Sequence, residues 1–143
     1  MPSVRGCNLP DDLLYDVDNH IWFSEVGDGT VKIGMTTVAT AMAGRLVAFT
    51  PKRVGRSVRA GKSCGTLESG KWVGPAKSAA GGEVVAVNDA MVNEPSIAND
   101  DPYEAGWLLI LKPEDWDVVK ATLVVGTDVA ASYESKMDSE GFG

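Results

Sequence analysis

Cysteine, aromatic residues and long apolar runs are scarce in this 143-residue chain. The two cysteines, Cys7 and Cys64, are too few for a disulfide scaffold and lack the paired spacing of a zinc site, so we interpret both as reduced thiols. No apolar run approaches the roughly 18 residues of a membrane helix, and Met1 to Asp12 contains no continuous apolar stretch. We therefore expect a cytoplasmic protein with neither an export signal nor a membrane span.

Basic residues are also in the minority, with 13 against 20 acidic residues and a net charge of −7. This balance disfavours binding to nucleic acid and favours partners with basic surfaces. His20 is the only histidine, and acidic pairs such as Asp100-Asp101 are typical of turns and solvated faces. The tripeptide Gly70-Lys71-Trp72 lacks the hydroxyl of a phosphate loop. The sequence predicts no metal site and no catalytic centre.

The length fits one domain, residues 1–143, and 44% of the residues are hydrophobic. Short β-rich runs separated by glycine turns indicate a compact barrel or sandwich. A hairpin is predicted around Gly27-Asp28-Gly29, with strands at residues 21–26 and 30–34. Further strands are predicted at residues 46–49, 64–69, 82–88 and 107–112.

Short helices are predicted around this β core. Residues 36–43 favour a helix or a single turn that ends at Gly44. Pro113 suits the first position of a helix with Trp116, Val119 and Leu123 on one face. A last helix is predicted to start at residue 127 or 128 and to bury Val129 and Tyr133.

Lys71 lies between the predicted strands at 64–69 and 82–88, at a hairpin tip. An exposed lysine in such a place is commonplace, so the residue alone is weak evidence. Its flanks and four other segments change that interpretation. In chain order the five segments are His20-Ile21-Trp22, Val31-Lys32-Ile33-Gly34-Met35-Thr36, Glu68-Ser69-Gly70-Lys71, Gly82-Glu83-Val84-Val85-Ala86-Val87-Asn88, and Asn99-Asp100-Asp101-Pro102-Tyr103-Glu104-Ala105-Gly106-Trp107-Leu108.

With these five segments in one register, the chain resembles the H-protein family of the glycine cleavage system across roughly residues 19–135. The resemblance implies a mainly β fold, a barrel-sandwich hybrid of the lipoyl and biotinyl carrier type with short peripheral and C-terminal helices. It also implies a noncatalytic carrier with lipoate joined by an amide to Lys71. Glu68, Ser69 and Gly70 are then the expected recognition residues for the modifying enzyme.

Several positions depart from the family's pattern. Ile21 stands where glycine-system carriers usually have an acidic residue, and Thr37-Val38 replaces aspartate followed by histidine or tyrosine. An aminomethyl cargo gains from a nearby acceptor, which isoleucine and valine do not offer. The run from Gly70 to Pro75 is similar to the lipoate-binding proteins of sulfur oxidation, which work with a heterodisulfide-reductase-like complex. We therefore favour a carrier of sulfur intermediates, with a glycine cleavage carrier as the alternative.

The implied partners are a lipoate ligase or lipoyl-assembly enzymes, the heterodisulfide-reductase-like complex or the glycine cleavage enzymes, and dihydrolipoamide dehydrogenase. A mobile carrier is expected to be a monomer. An unmodified binding or scaffold module remains the alternative of another class. Trp72 either contacts the arm or covers the hairpin, and Cys64 is expected to be a small buried hydrophobe rather than an exchanging thiol.

Overall fold

The computed structural model describes residues 3–4, 7–10, 12–126, 128–129, 131–133 and 135. The strands, in chain order, are β1 (Ser3–Val4), β2 (Cys7–Asn8), β3 (Leu14–Asp16), β4 (Ile21–Glu25), β5 (Val31–Met35), β6 (Leu46–Pro51), β7 (Ser57–Val58), β8 (Lys62–Ser69), β9 (Val73–Ser78), β10 (Gly82–Val87), β11 (Leu109–Pro113) and β12 (Val124–Val125). The helices are α1 (Thr37–Ala43), α2 (Asp89–Asn93), α3 (Ile97–Asp100) and α4 (Trp116–Lys120).

Antiparallel pairing organises these strands into sheets. One sheet has the order β12-β3-β4-β5-β11-β10-β7, a second has the order β6-β8-β9, and β1 pairs with β2. The main core contains residues of both larger sheets, among them Ile33, Leu67 and Leu111. This mainly β arrangement with few short helices agrees with the expected barrel-sandwich hybrid.

The first predicted hairpin and helix are confirmed. Strands β4 and β5 pair from Ile21 with Met35 to Glu25 with Val31. The side chain of Thr36 accepts a hydrogen bond from the Ala39 amide at the start of α1, and Gly44 ends the helix with φ of 80°. A serine or threonine cap and a C-terminal glycine are the local signals that fix such a short helix.

Strand β4 is buried on both faces. Ile21 and Phe23 point into the main core, whereas Trp22 belongs to a second cluster with Tyr15, Val38 and Tyr133 among others. The indole nitrogen of Trp22 donates to the Pro102 carbonyl at 3.0 Å. Because successive side chains of a strand point to opposite faces, β4 contributes residues to both clusters.

The strand after Lys71 differs from the expected one. The sequence placed Lys71 between the strands at 64–69 and 82–88, yet β8 pairs with β9, and β10 belongs to the other large sheet. Glycine, proline and lysine in β9 give it little strand pattern, and its pairing comes from the tight turn that precedes it.

The C-terminal part is confirmed in its packing but not in its first helix boundary. Pro113 is the last residue of β11, and α4 begins at Trp116. Trp116, Val119 and Leu123 pack against the core as predicted. Residues 129, 131–133 and 135 are helical, and Val129 and Tyr133 are fully buried. Residue 127, the other predicted start, lies outside the described residues.

Within the described part of the chain, no helix is long and apolar enough to span a membrane.

Candidate functional site

Lys71 lies at the tip of the β8–β9 hairpin. Ser69 and Trp72 close the turn, with the Ser69 amide donating to the Trp72 carbonyl at 2.7 Å, so only Gly70 and Lys71 form the loop. Lys71 is exposed. A lysine in so short a loop is presented outward by a turn whose backbone is already fixed.

The Ser69 hydroxyl ties this tip to helix α1. It donates to the Ala43 carbonyl at 2.6 Å and accepts from the Lys71 amide at 3.3 Å. Ser69 is buried although it adjoins the tip. Its side chain therefore holds the turn that carries Lys71.

The end of α1 forms the support for the lysine. A methyl group built at Gly44 would lie 3.1 Å from Cε of Lys71, so the aliphatic stem rests over this glycine. Asn99 braces the same link, since its amide group donates to the Gly44 carbonyl and accepts from the Leu46 amide, both at 2.9 Å. The tip, α1 and the 99–107 segment thus form one connected unit.

An apolar groove of about 280 Å³ opens beside the hairpin. Helix α1, the ends of β4 and β5, and the β8–β9 hairpin form its walls. Its lining residues are Asn19, His20, Ile21, Met35, Ala39, Met42, Ala43, Leu67, Trp72, Pro75 and Ala76. Among the residues that the structure describes, this lining contains neither a carboxylate nor an ammonium group, so the groove suits an apolar or sulfur-bearing group.

Trp72 joins the groove to the tip. Its indole folds over Gly74, where a methyl group would lie 2.5 Å from a ring carbon. The ring also lines a shallow depression that contains Glu68 and Lys71. Trp72 therefore covers its own hairpin and at the same time forms a wall of the groove.

His20 also lines the groove and has a left-handed backbone conformation, with φ of 57°. Such a conformation is uncommon for a residue with a side chain. Its ring stacks on Tyr133 with centroids 5.6 Å apart, and Nδ1 lies 3.2 Å from the tyrosine hydroxyl. These contacts hold the strained turn and agree with the expected packing role.

Cys64 is buried on β8. Burial raises the pKa of its thiol to about 12, so the thiolate needed for exchange with other sulfurs is scarce at neutral pH. The interpretation of Cys64 as a small buried hydrophobe agrees with this environment. The side chain of Cys7 lies outside the described residues. Among the described residues, no three metal-ligating side chains lie together.

The structure brings together most of the predicted site residues. Glu68, Lys71 and Trp72 share the shallow depression, and Gly70 is exposed beside them. Of the two departures that bear on cargo, Ile21 lines the groove, whereas Val38 is buried in the second cluster. Sequence reasoning missed Met35, Met42 and the alanines of α1, although the spacing of Ala39, Met42 and Ala43 was a detectable apolar helix face.

A hairpin that presents a lysine beside an apolar groove is the arrangement of covalent carrier domains. The family model described as "Glycine cleavage H-protein" matches residues 13–136. The "Glycine cleavage system H protein 5" of Aquifex aeolicus is 46% identical, and the alignment covers 99% of this chain and 97% of that protein. The "Probable glycine cleavage system H protein 2" of Sulfurisphaera tokodaii is 34% identical over 98% of this chain and 95% of that protein.

The crystal structure of a glycine cleavage system H protein from Mycobacterium marinum has the same fold. It superposes with a TM-score of 0.75 at 34% identity and covers 87% of this chain and 98% of that chain. This chain therefore belongs to the glycine cleavage H-protein family. Members of the family are noncatalytic carriers with lipoate attached to a lysine, and they work with glycine cleavage enzymes, lipoate ligase and lipoamide dehydrogenase-type enzymes.

The comparisons also bear on the two carrier hypotheses. The relatives are named for glycine cleavage. They favour the glycine cleavage alternative over the sulfur-oxidation carrier that the tip sequence indicated, and they give the heterodisulfide-reductase-like complex no support.

Proposed function

We propose that this chain carries lipoate on Lys71 and moves groups bound to the lipoyl sulfurs among separate enzymes. The observation that carries the proposal is the placement of an exposed lysine in a two-residue loop whose ends are joined by the Ser69–Trp72 hydrogen bond. A modifying enzyme can surround an amine in such a loop, whereas a helix face or a flat sheet would restrict access. The aliphatic stem of the lysine rests over Gly44 at the end of α1, which supports the lysine at the tip.

The surroundings fit the group. Bound lipoate supplies a dithiolane whose sulfur atoms take up and release the transferred group. The groove offers its apolar end a surface that includes the indole of Trp72 and the thioethers of Met35 and Met42. Sulfur contacts aromatic rings favourably, so Trp72 is the proposed arm contact. Amide formation removes the charge of Lys71 and changes the net charge from −7 to −8.

Lys71→Arg tests the attachment site. Arginine keeps the charge and length but cannot form the amide, so a purified lipoate ligase supplied with lipoate and ATP should leave this variant unmodified by intact mass. Lys77→Arg is the matched control, because Lys77 is an exposed lysine of the same hairpin. It should be modified as fully as the unaltered chain. A lipoyl mass on the Lys71→Arg variant would contradict the assignment.

The proposed setting is the glycine cleavage system, which the names of the relatives support. In this setting the partners are a lipoate ligase or lipoyl-assembly enzymes, the glycine cleavage enzymes and dihydrolipoamide dehydrogenase. The arm then carries an aminomethyl group. The chain's own contribution is to hold Lys71 at the tip and to offer the groove as a resting surface.

The groove supports a second candidate, the carriage of sulfur intermediates. Ile21 is buried at the groove, and none of the described residues that line the groove is a carboxylate able to accept a hydrogen bond from an aminomethyl nitrogen. A sulfur cargo needs no such acceptor. In that setting the acceptor enzyme is a heterodisulfide-reductase-like complex.

Glycine decarboxylation distinguishes the two settings. The lipoylated chain and an established glycine cleavage H protein are compared as carriers with purified glycine cleavage enzymes. The glycine cleavage setting predicts similar rates and an aminomethyl-loaded chain that persists by mass spectrometry. A slow reaction with rapid loss of the loaded form would instead favour the sulfur carrier, because none of the described lining residues offers a carboxylate to the aminomethyl nitrogen.

A further inference from the structure

Two exposed valines flank Glu68 on the outer face of the sheet that carries Lys71. Glu68 pairs with Val73 across β8 and β9. On its other side it pairs with Ala48 of β6, at a register shift between Leu46 and Ala48 that places Val47 in a bulge. The valines are 60% and 64% exposed at positions 47 and 73, respectively. Single exposed apolar residues are ordinary, but Val47, Glu68 and Val73 lie side by side and form an amphipathic row.

This row is continuous with the proposed attachment site. Glu68 and Val73 line a shallow depression together with Ser69, Lys71 and Trp72. An enzyme that reaches the amine of Lys71 through this depression must therefore cover Glu68 and Val73. Val47 lies next along the same face.

The charges around the row select its partner. Between residues 46 and 78 the chain has seven lysines and arginines, and Glu68 is the single acidic residue. Glu68 can pair with one basic side chain of a partner between the two valines, while the basic residues elsewhere in the segment favour a partner whose surrounding surface is acidic. Bulged, exposed strand positions commonly serve to present side chains in this way.

The short reach of lysine indicates which partner this is. The amine stands on a stem of four carbons, so an enzyme that acylates it must touch the chain around Lys71. Enzymes that act on the lipoyl sulfurs meet them at the far end of a much longer arm. We propose that Val47, Glu68 and Val73 form the docking face for the lipoate-attaching enzyme. This inference rests on the proposed function of Lys71.

The test replaces each valine with threonine, which keeps the shape and β-branching and removes apolar surface. Lipoylation of the Val47→Thr, Val73→Thr and double variants by a purified lipoate ligase, with lipoate and ATP, is followed by intact mass. We expect kcat/KM of the double variant to fall by roughly tenfold, because interface apolar contacts of this size have effects of that order. The matched control is Val118→Thr on α4, whose valine is 69% exposed and remote from the hairpin. Its kcat/KM should be unchanged.

Three results would overturn the docking face. An unchanged kcat/KM in the double variant, with Lys71→Arg still blocking modification, would remove the face and leave the proposed function intact. Normal attachment combined with slower reduction of the arm by dihydrolipoamide dehydrogenase would assign the row to a different enzyme. An unaltered chain that the ligase never modifies would overturn both the docking face and the proposed function. Equal melting temperatures of all variants show that the fold is preserved.

Discussion

Gly34 and Gly70 differ in the space around the position that a Cβ atom would occupy. Gly34 pairs with Trp22 across β4 and β5, and a methyl group built there would lie 2.3 Å from the indole ring. Trp22 is fully buried and hydrogen-bonded, so the ring cannot move aside cheaply. Gly70 at the tip has nothing within 4 Å of the same position and does not have a positive φ.

We therefore expect Gly34→Ala to destabilise the fold and Gly70→Ala to leave it unchanged. Overpacking of a rigid core costs about 3 kcal/mol, which lowers the melting temperature of a chain of this length by about 10 °C. Thermal denaturation followed by circular dichroism measures both variants against the unaltered protein. Equal melting temperatures for all three proteins would show that the Trp22 ring has room to shift.

Single residues show where sequence reasoning reached the site and where it stopped. The exposure of Lys71 at a hairpin tip was predictable, because its flanks fix a turn and lysine seldom lies buried. The inward direction of Ser69 was not, because its hydrogen-bond acceptor is the carbonyl of Ala43, 26 residues earlier in the chain. The strained turn at His20 depends in the same way on Tyr133, which approaches only through the fold.

At the scale of elements, the sequence predicted the strands and helices that are determined by residues close together in the chain. The β4–β5 hairpin and α1 follow from turn glycines, alternation and caps that lie within a few residues of one another. Strands β7 and β12 have only two residues each, so no pattern within them can be read, and their pairing with β10 and β3 is a tertiary event. The misplaced helix start at Pro113 has the same origin, since β11 extends through this proline by pairing with β10.

The 99–107 segment, which lies within one of the five segments that carry the family resemblance, is a brace rather than part of the groove. Asn99 holds the link between α1 and β6, and the Tyr103 hydroxyl accepts from the Thr37 amide at 3.0 Å. A methyl group at Gly106 would lie 2.7 Å from the backbone of Ala98, so close backbone packing requires this glycine. This segment therefore acts on the site indirectly, by fixing the helix end that supports Lys71.

Across the whole molecule, basic residues are concentrated in one segment and acidic residues lie almost entirely outside it. Residues 46–78, which contain the β6–β8–β9 sheet, hold seven of the 13 basic residues and one of the 20 acidic residues. This segment carries +6 and the remainder of the chain −13. The net charge of −7 alone suggested partners with basic surfaces, but it does not describe the sheet that presents the lysine. Field effects of such a division are screened over about 10 Å at 0.1 M salt and about 30 Å at 0.01 M.

This division makes a testable difference on a sulfonate cation exchanger at pH 7 and about 0.05 M ionic strength. Under these conditions only the charges closest to the resin interact with it strongly, because more distant charges are screened. The acidic protein should therefore bind weakly through its basic segment and elute after the void volume. Replacing Arg53, Arg56 and Arg59 with glutamine should abolish this retardation. Replacing Lys32, Lys112 and Lys120 with glutamine changes the net charge equally outside the segment and should preserve it. Identical elution of the two triple variants would mean that the average charge, rather than its division, governs how partners meet this surface.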